Sequence, residues 1–163
     1  MNQEVRTVLR TNREQLEASP KDMQSIFRIM FLWKDRVLCE TNDGFRIQKY
    51  TYGQVQQRIY RAAAGLYAKI GATHGYIALE MENSLDWIVA FWAILMSGNK
   101  PYLVNMRYPQ NLTDGILKTL QVKHILCAQT TGCSGQAITL ADLEGEFPAV
   151  PEDVFENELA ISS

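Results

Sequence analysis

The chain has 163 residues, enough for one domain with its own core, since folding at this size buries roughly 70% of the unfolded surface. Hydrophobic residues make up 47% and charged residues 21%, a balance that excludes a disordered or collagen-like chain. The net charge of −2 gives no general attraction to nucleic acid or to an anionic membrane. Two helices are predicted first. Val5, Val8, Leu9 and Leu16 make a loose apolar stripe. Ser19-Pro20-Lys21-Asp22 then reads as a cap with proline at the first helical position, followed by a face of Ile26, Ile29, Met30 and Trp33.

Residues 36–41 and 45–50 read as two short strands joined at Asn42-Asp43-Gly44, where Asp-Gly tolerates the positive φ of a hairpin turn. Thr51-Tyr52-Gly53-Gln54 is a capping box: a hydroxyl and an amide each satisfy one free donor at a helix start. Val55, Ile59, Ala62, Ala63, Leu66 and Ile70 continue at helical spacing, and Gly71 ends the helix.

A strand–helix rhythm follows. Residues 76–80, 101–104 and 122–127 predict buried strands. A helix capped by Asn83 and closed by Gly98 separates the first pair, and a helix from Pro109 to Gln121 separates the second. Such a βαβαβ order predicts a partly parallel sheet flanked by helices, an α/β fold with a small antiparallel hairpin beside it. The helix over 84–97 is apolar nearly all round and needs cover on two sides. Its greasy run, Ile88 to Met96, is nine residues and too short to span a bilayer.

Met1-Asn2-Gln3-Glu4 is followed by charged residues rather than a signal core. Cys39, Cys127 and Cys133 match no metal spacing, and together these features predict a cytoplasmic protein. Residues 140–163 hold seven acids and no base, so the first 139 carry a net +5. With Pro148 and Pro151 the acidic stretch reads as a solvated linker. The expected division is a helical segment at 1–35, an α/β subdomain at 36–140 and an acidic loop at 141–163.

Ligands of open parallel sheets sit beyond the carboxyl ends of the strands. There the sequence offers Glu80 and Glu82, which share a face of an extended chain and suit either a cation or plain solvation. Arg107 follows the second strand, with donors that match a phosphate or carboxylate, or it is surface. The loop Gln129 to Gly135 resembles a phosphate cradle but lacks the lysine of a P-loop, and Ala137 to Leu140 looks extended rather than helical. His124 and Cys127, three apart on a strand, face opposite sides and cannot pair. His74 falls in a turn. Read alone, these residues assemble no active site.

Several segments in order resemble the amino-terminal part of the adenylate-forming superfamily of acyl-CoA synthetases, luciferase-like enzymes and peptide-synthetase adenylation domains. Tyr50-Thr51-Tyr52-Gly53-Gln54-Val55 is similar to its helix entry. Gly71, Gly75 and residues 77–84 resemble its first strand and capped helix, with Tyr76 where the family often has aspartate. Residues 87–95 with Ser97-Gly98, and Pro101 through Pro109, resemble its buried helix, second strand and exit loop. Glu158-Leu159-Ala160-Ile161-Ser162-Ser163 is similar to the strand leading into the family's phosphate loop, with Ser162 and Ser163 as its first hydroxyl positions.

The resemblance implies a carboxylic acid–thiol ligase. It would use ATP and Mg²⁺ to form an acyl-adenylate and then transfer the acyl group to coenzyme A or a carrier-protein thiol. It also implies that the rest of the phosphate loop and the catalytic lysine lie beyond Ser163, so that this chain is an inactive fragment with no catalytic or metal residue and no bound cofactor of its own. Apolar surface left by missing partners predicts self-association. Two other readings stand beside it. One is a non-catalytic α/β module for protein interaction or dimerisation, motivated by Trp87, Phe91 and Trp92. The other is a flavodoxin-type nucleotide binder using residues 129–135.

Overall fold

The computed structural model describes residues 3–42, 44–128 and 136–145. They fall into two units that part between Gln54 and Val55.

In the first unit, α1 (Gln3–Ala18) buries none of its residues. It is supported locally by Arg10–Glu14 and Arg13–Glu17 pairs one turn apart, at 3.8 and 2.7 Å. It is tied to the following helix region by Trp33, whose Nε1 donates to Asn12 Oδ1 at 2.8 Å. α2 (Met23–Met30) starts three residues later than its proline suggested. Asp22 is the cap, its carboxylate accepting the Ser25 N–H at 2.8 Å, so Pro20 lies ahead of the helix. The buried side also differs from the expected one. Phe27 and Phe31, one turn apart with ring centroids 4.6 Å apart, are enclosed, while Ile26 is exposed. Two aromatic rings hide more area than the isoleucine stripe would, and they set the orientation.

The predicted hairpin is present as β1 (Val37–Asn42) and β2 (Ile47–Thr51), antiparallel, with Asn42 opposite Ile47. The Thr51–Gln54 box closes both ways: Thr51 N–H donates to Gln54 Oε1 at 2.9 Å, and Gln54 N–H to Thr51 Oγ1 at 3.2 Å. Gly53 meets Lys34 closely, donating to its carbonyl at 2.8 Å, and an added Cβ would sit 3.2 Å from that oxygen. The helix it opens, α3 (Tyr52–Ile70), continues into the second unit. There Val55, Ile59, Ala62, Ala63 and Leu66 are fully buried. Gly71 ends it in the left-handed region, φ +78°, donating to the Tyr67 carbonyl.

The second unit is a four-stranded, all-parallel sheet in the order β4-β3-β5-β6, formed by β3 (Tyr76–Glu80), β4 (Lys100–Leu103), β5 (His124–Cys127) and β6 (Gln136–Thr139). α4 (Leu85–Met96) and α5 (Gln110–Thr119) fall between the strands, and α6 (Leu140–Gly145) follows β6. The α/β expectation holds, with one more parallel strand than the three foreseen. Alternate strand residues face opposite sides. Ala78, Ile125 and Cys127 form a cluster with Leu117 of α5 on one face. Ile77, Leu79 and Leu126 point to the other and are equally enclosed.

α4 is capped by Ser84, whose hydroxyl accepts the Trp87 N–H at 3.1 Å, and not by Asn83. Within α4, Val89, Ala90, Ala93 and Ile94 are completely buried. Trp87 and Phe91 stack at 5.4 Å on a half-buried side. At the other end of α4, Asn99 is almost fully enclosed and bonds in all directions. Its Oδ1 accepts from Thr73 N (3.1 Å) and Thr73 Oγ1 (2.7 Å), and its Nδ2 donates to Gly71 O (3.0 Å) and Ser97 Oγ (3.0 Å).

Among the described residues β4 is an edge strand. Lys100 N–H and Val104 N–H bond inward to Gly75 and Leu79, so position 101 turns its backbone nitrogen outward, and there proline has no hydrogen to offer.

Candidate functional site at the carboxyl edge of the sheet

β3 ends at Glu80. Its side chain is half-buried, and Oε2 is enclosed with no hydrogen-bond partner among the described residues. Desolvation, and then the charge of Asp114 on α5, push its carboxyl above the usual range. Of the two outcomes open for Glu80 and Glu82, neither is met in full. Glu82 is exposed, Glu80 is not simply solvated, and no group of three acidic, histidine or cysteine side chains converges as a metal site among the described residues.

The sign of the Glu80 effect follows from its raised value. The folded state holds this proton more tightly than the unfolded chain, so its contribution is favourable below the unfolded carboxyl pKa and is lost as pH rises through the folded one. Glu80→Gln is therefore expected to raise Tm at pH 7. The gain should shrink towards zero as the pH is lowered to about 4, as read by thermal melts across that range. A gain that stays constant with pH would contradict it.

Beyond β4, Asn105 Oδ1 accepts the Arg107 N–H at 3.0 Å and Tyr108 N–H bonds back to the Asn105 carbonyl at 2.9 Å, forming a local turn. Arg107 is exposed. Beyond β5, the loop 129–135 lies outside the described residues, as do Ser162 and Ser163. His124 and Cys127 do not form a pair. Cys127 is buried, with Sγ donating to the Ile138 carbonyl at 3.6 Å, whereas His124 sits at the opposite end of β5. His124 lines a cavity of about 300 Å³ with Lys69, Gln136 and Asp142. Burial, and then Lys123, lower its pKa. The cavity is not legible in the sequence because its lining is spread over α3, β5, β6 and α6, each of which supplies between one and three residues. Exposed His74 lies in a turn as expected. No described helix is long and apolar enough to cross a membrane.

The carboxyl edge of an open parallel sheet is where ligands of such folds bind, and among the described residues it carries carboxylates but no assembled catalytic set. The chain belongs to the AMP-binding enzyme family, whose model matches residues 32–158. Among solved structures it is similar to the NpsA N-terminal subdomain of Klebsiella oxytoca in complex with anthranilyl-AMSN (17% identity, TM-score 0.67, covering 82% of this chain and 34% of that one). It is also similar to NpsA-ThdA, an artificially fused adenylation-PCP di-domain from the same organism (19%, TM-score 0.65, 82% and 27%). A third is O-succinylbenzoate coenzyme A synthetase (MenE) of Bacillus subtilis in complex with AMP (18%, TM-score 0.63, 76% and 32%). The chain thus has the fold of the amino-terminal part of an adenylate-forming enzyme and spans about a third of the length of these structures. No curated protein matches it.

Proposed function

We propose that these residues are the amino-terminal part of an ATP-dependent carboxylic acid–thiol ligase and that they do not catalyse adenylation by themselves. The family match over residues 32–158 carries the reading. The reaction needs donors, a lysine and Mg²⁺ around the ATP phosphates. In this reading Ser162 and Ser163 open the loop that supplies the first of them. The sheet, Glu80 and the Asn105–Tyr108 turn form part of the frame around that centre. Coenzyme A or a carrier-protein thiol would take the acyl group in the whole enzyme.

The test is acid-dependent pyrophosphate release by the 163-residue chain with ATP, Mg²⁺ and anthranilate, benzoate or acetate as probe acids. No release above the acid-free rate is expected, and release with any of the three would refute the inactive-fragment reading. The half-buried Trp87–Phe91 face favours a second reading, a module that self-associates through α4. Sedimentation at high concentration tests it, and a strictly monomeric profile would count against it.

A further inference from the structure

We propose that α6 is a strap that closes the His124 cavity, and that Arg58 is the latch that keeps it shut. A helix of six residues does not hold itself together in water, so α6 depends on what it is fastened to. Leu140 and Leu143 supply an apolar hold, being 5% and 0% exposed. Thr139 and Asp142 close its start reciprocally: Thr139 N–H donates to the carboxylate, and Asp142 N–H to the hydroxyl.

The remaining hold comes from α3. Arg58 grips Glu144 with two bonds, Nε to Oε1 at 2.7 Å and Nη2 to Oε2 at 3.0 Å, and the same Nη2 donates to Asp86 of α4 at 2.8 Å. Burial alone would loosen the proton on this guanidinium, but the two carboxylates outweigh it and hold it more firmly charged than usual. The Arg58 and Glu144 side chains are 25% and 22% exposed, sheltered enough that removing one strands the other. In the last turn of α3, one residue before its end, Lys69 attracts Asp142, which lines the same cavity. The two acids of α6 are thus matched to two bases of α3, and Asp142, although exposed to solvent, stands at the rim of the space that His124 lines. With only two apolar anchors, Leu140 and Leu143, the ion pairs carry enough of the hold for α6 to open locally while the sheet stays folded.

The test is amide hydrogen exchange on the whole chain. In Arg58→Met, exchange over Leu140–Gly145 is expected to speed up at least ~10-fold at low salt, with the amides of α4 and α5 changed less than twofold. Exchange over α6 that is unaltered, or that accelerates in step with α4, would overturn the proposal. Should Arg58→Met fail to fold, Glu144→Gln makes the decision by the same exchange measurement and by NMR titration of His124. The charged groups around that imidazole are Lys69, Lys123 and Asp142. Losing the Glu144 charge alone would lower the His124 pKa, whereas opening the cavity relieves its burial and raises it. An upward shift supports the strap, and a downward or absent one refutes it.

Discussion

Replacing Asn99 by alanine should cost about 3 kcal/mol or more, among the largest losses available from a polar side chain in this chain. The reason lies in what the amide leaves behind. Asn99 joins the end of α3 to the turn after α4, and both ends of its amide are satisfied there by Thr73, Gly71 and Ser97. It is 3% exposed, so water cannot take its place without opening the turn. Alanine would strand the Gly71 carbonyl and the Thr73 N–H together, at a helix end where carbonyls already lack partners. Asp is nearly isosteric but has lost the donor, so Asn99→Asp should fall close to alanine at neutral pH. Urea unfolding followed by circular dichroism reads both, and a loss below ~1 kcal/mol for alanine would show that the turn re-satisfies itself.

The second large effect belongs to the first unit. Phe31→Ala is expected to cost ~3–5 kcal/mol, the range for emptying a buried aromatic site. Phe31 is 1% exposed and contacts Phe27 at 4.6 Å and Tyr52 edge-on at 6.0 Å. These rings are the main apolar content of a unit whose longest helix buries nothing. The loss should therefore concentrate there: amides in residues 20–51 exchange faster, and those of β3 and β5 keep their protection. Uniform loss of protection across both units would mean that they unfold as one.

Much of this architecture was readable from short-range chemistry. The Thr51–Gln54 box, the α3 stripe and the three strands at 76–80, 101–104 and 122–127 depend on neighbours within a few positions, and each appears within about two residues of its expected place. The choice between Asn83 and Ser84 as cap could not be made locally, because both are good caps. The structure assigns it to Ser84, whose hydroxyl meets the Trp87 N–H. The same holds for α2, where spacing alone could not tell whether the isoleucines or the phenylalanines would win the interior.

α6 was hidden for a stronger reason. In sequence it is the head of an acidic run that reads as linker, and its chief polar partner, Arg58, is 86 positions away. Glu80 shows the same limit at the candidate site: the strand end was legible, but the carboxylate's burial beside Asp114 needed α5 to be in place. The hydroxyls at Ser162 and Ser163 rest on family likeness alone.

The missing hydrogen at Pro101 makes the two margins of the parallel sheet chemically unequal. An incoming β-ribbon laid along Lys100–Leu103 would bring a carbonyl up to the proline ring, which has no N–H to donate, so that flank discourages fibril-like stacking and accidental swapping. Gln136–Thr139, with no proline, keeps its full row of main-chain groups. Among the described residues, main-chain pairing is therefore weaker along β4 than along β6, and contacts on the β4 side lean more on side chains.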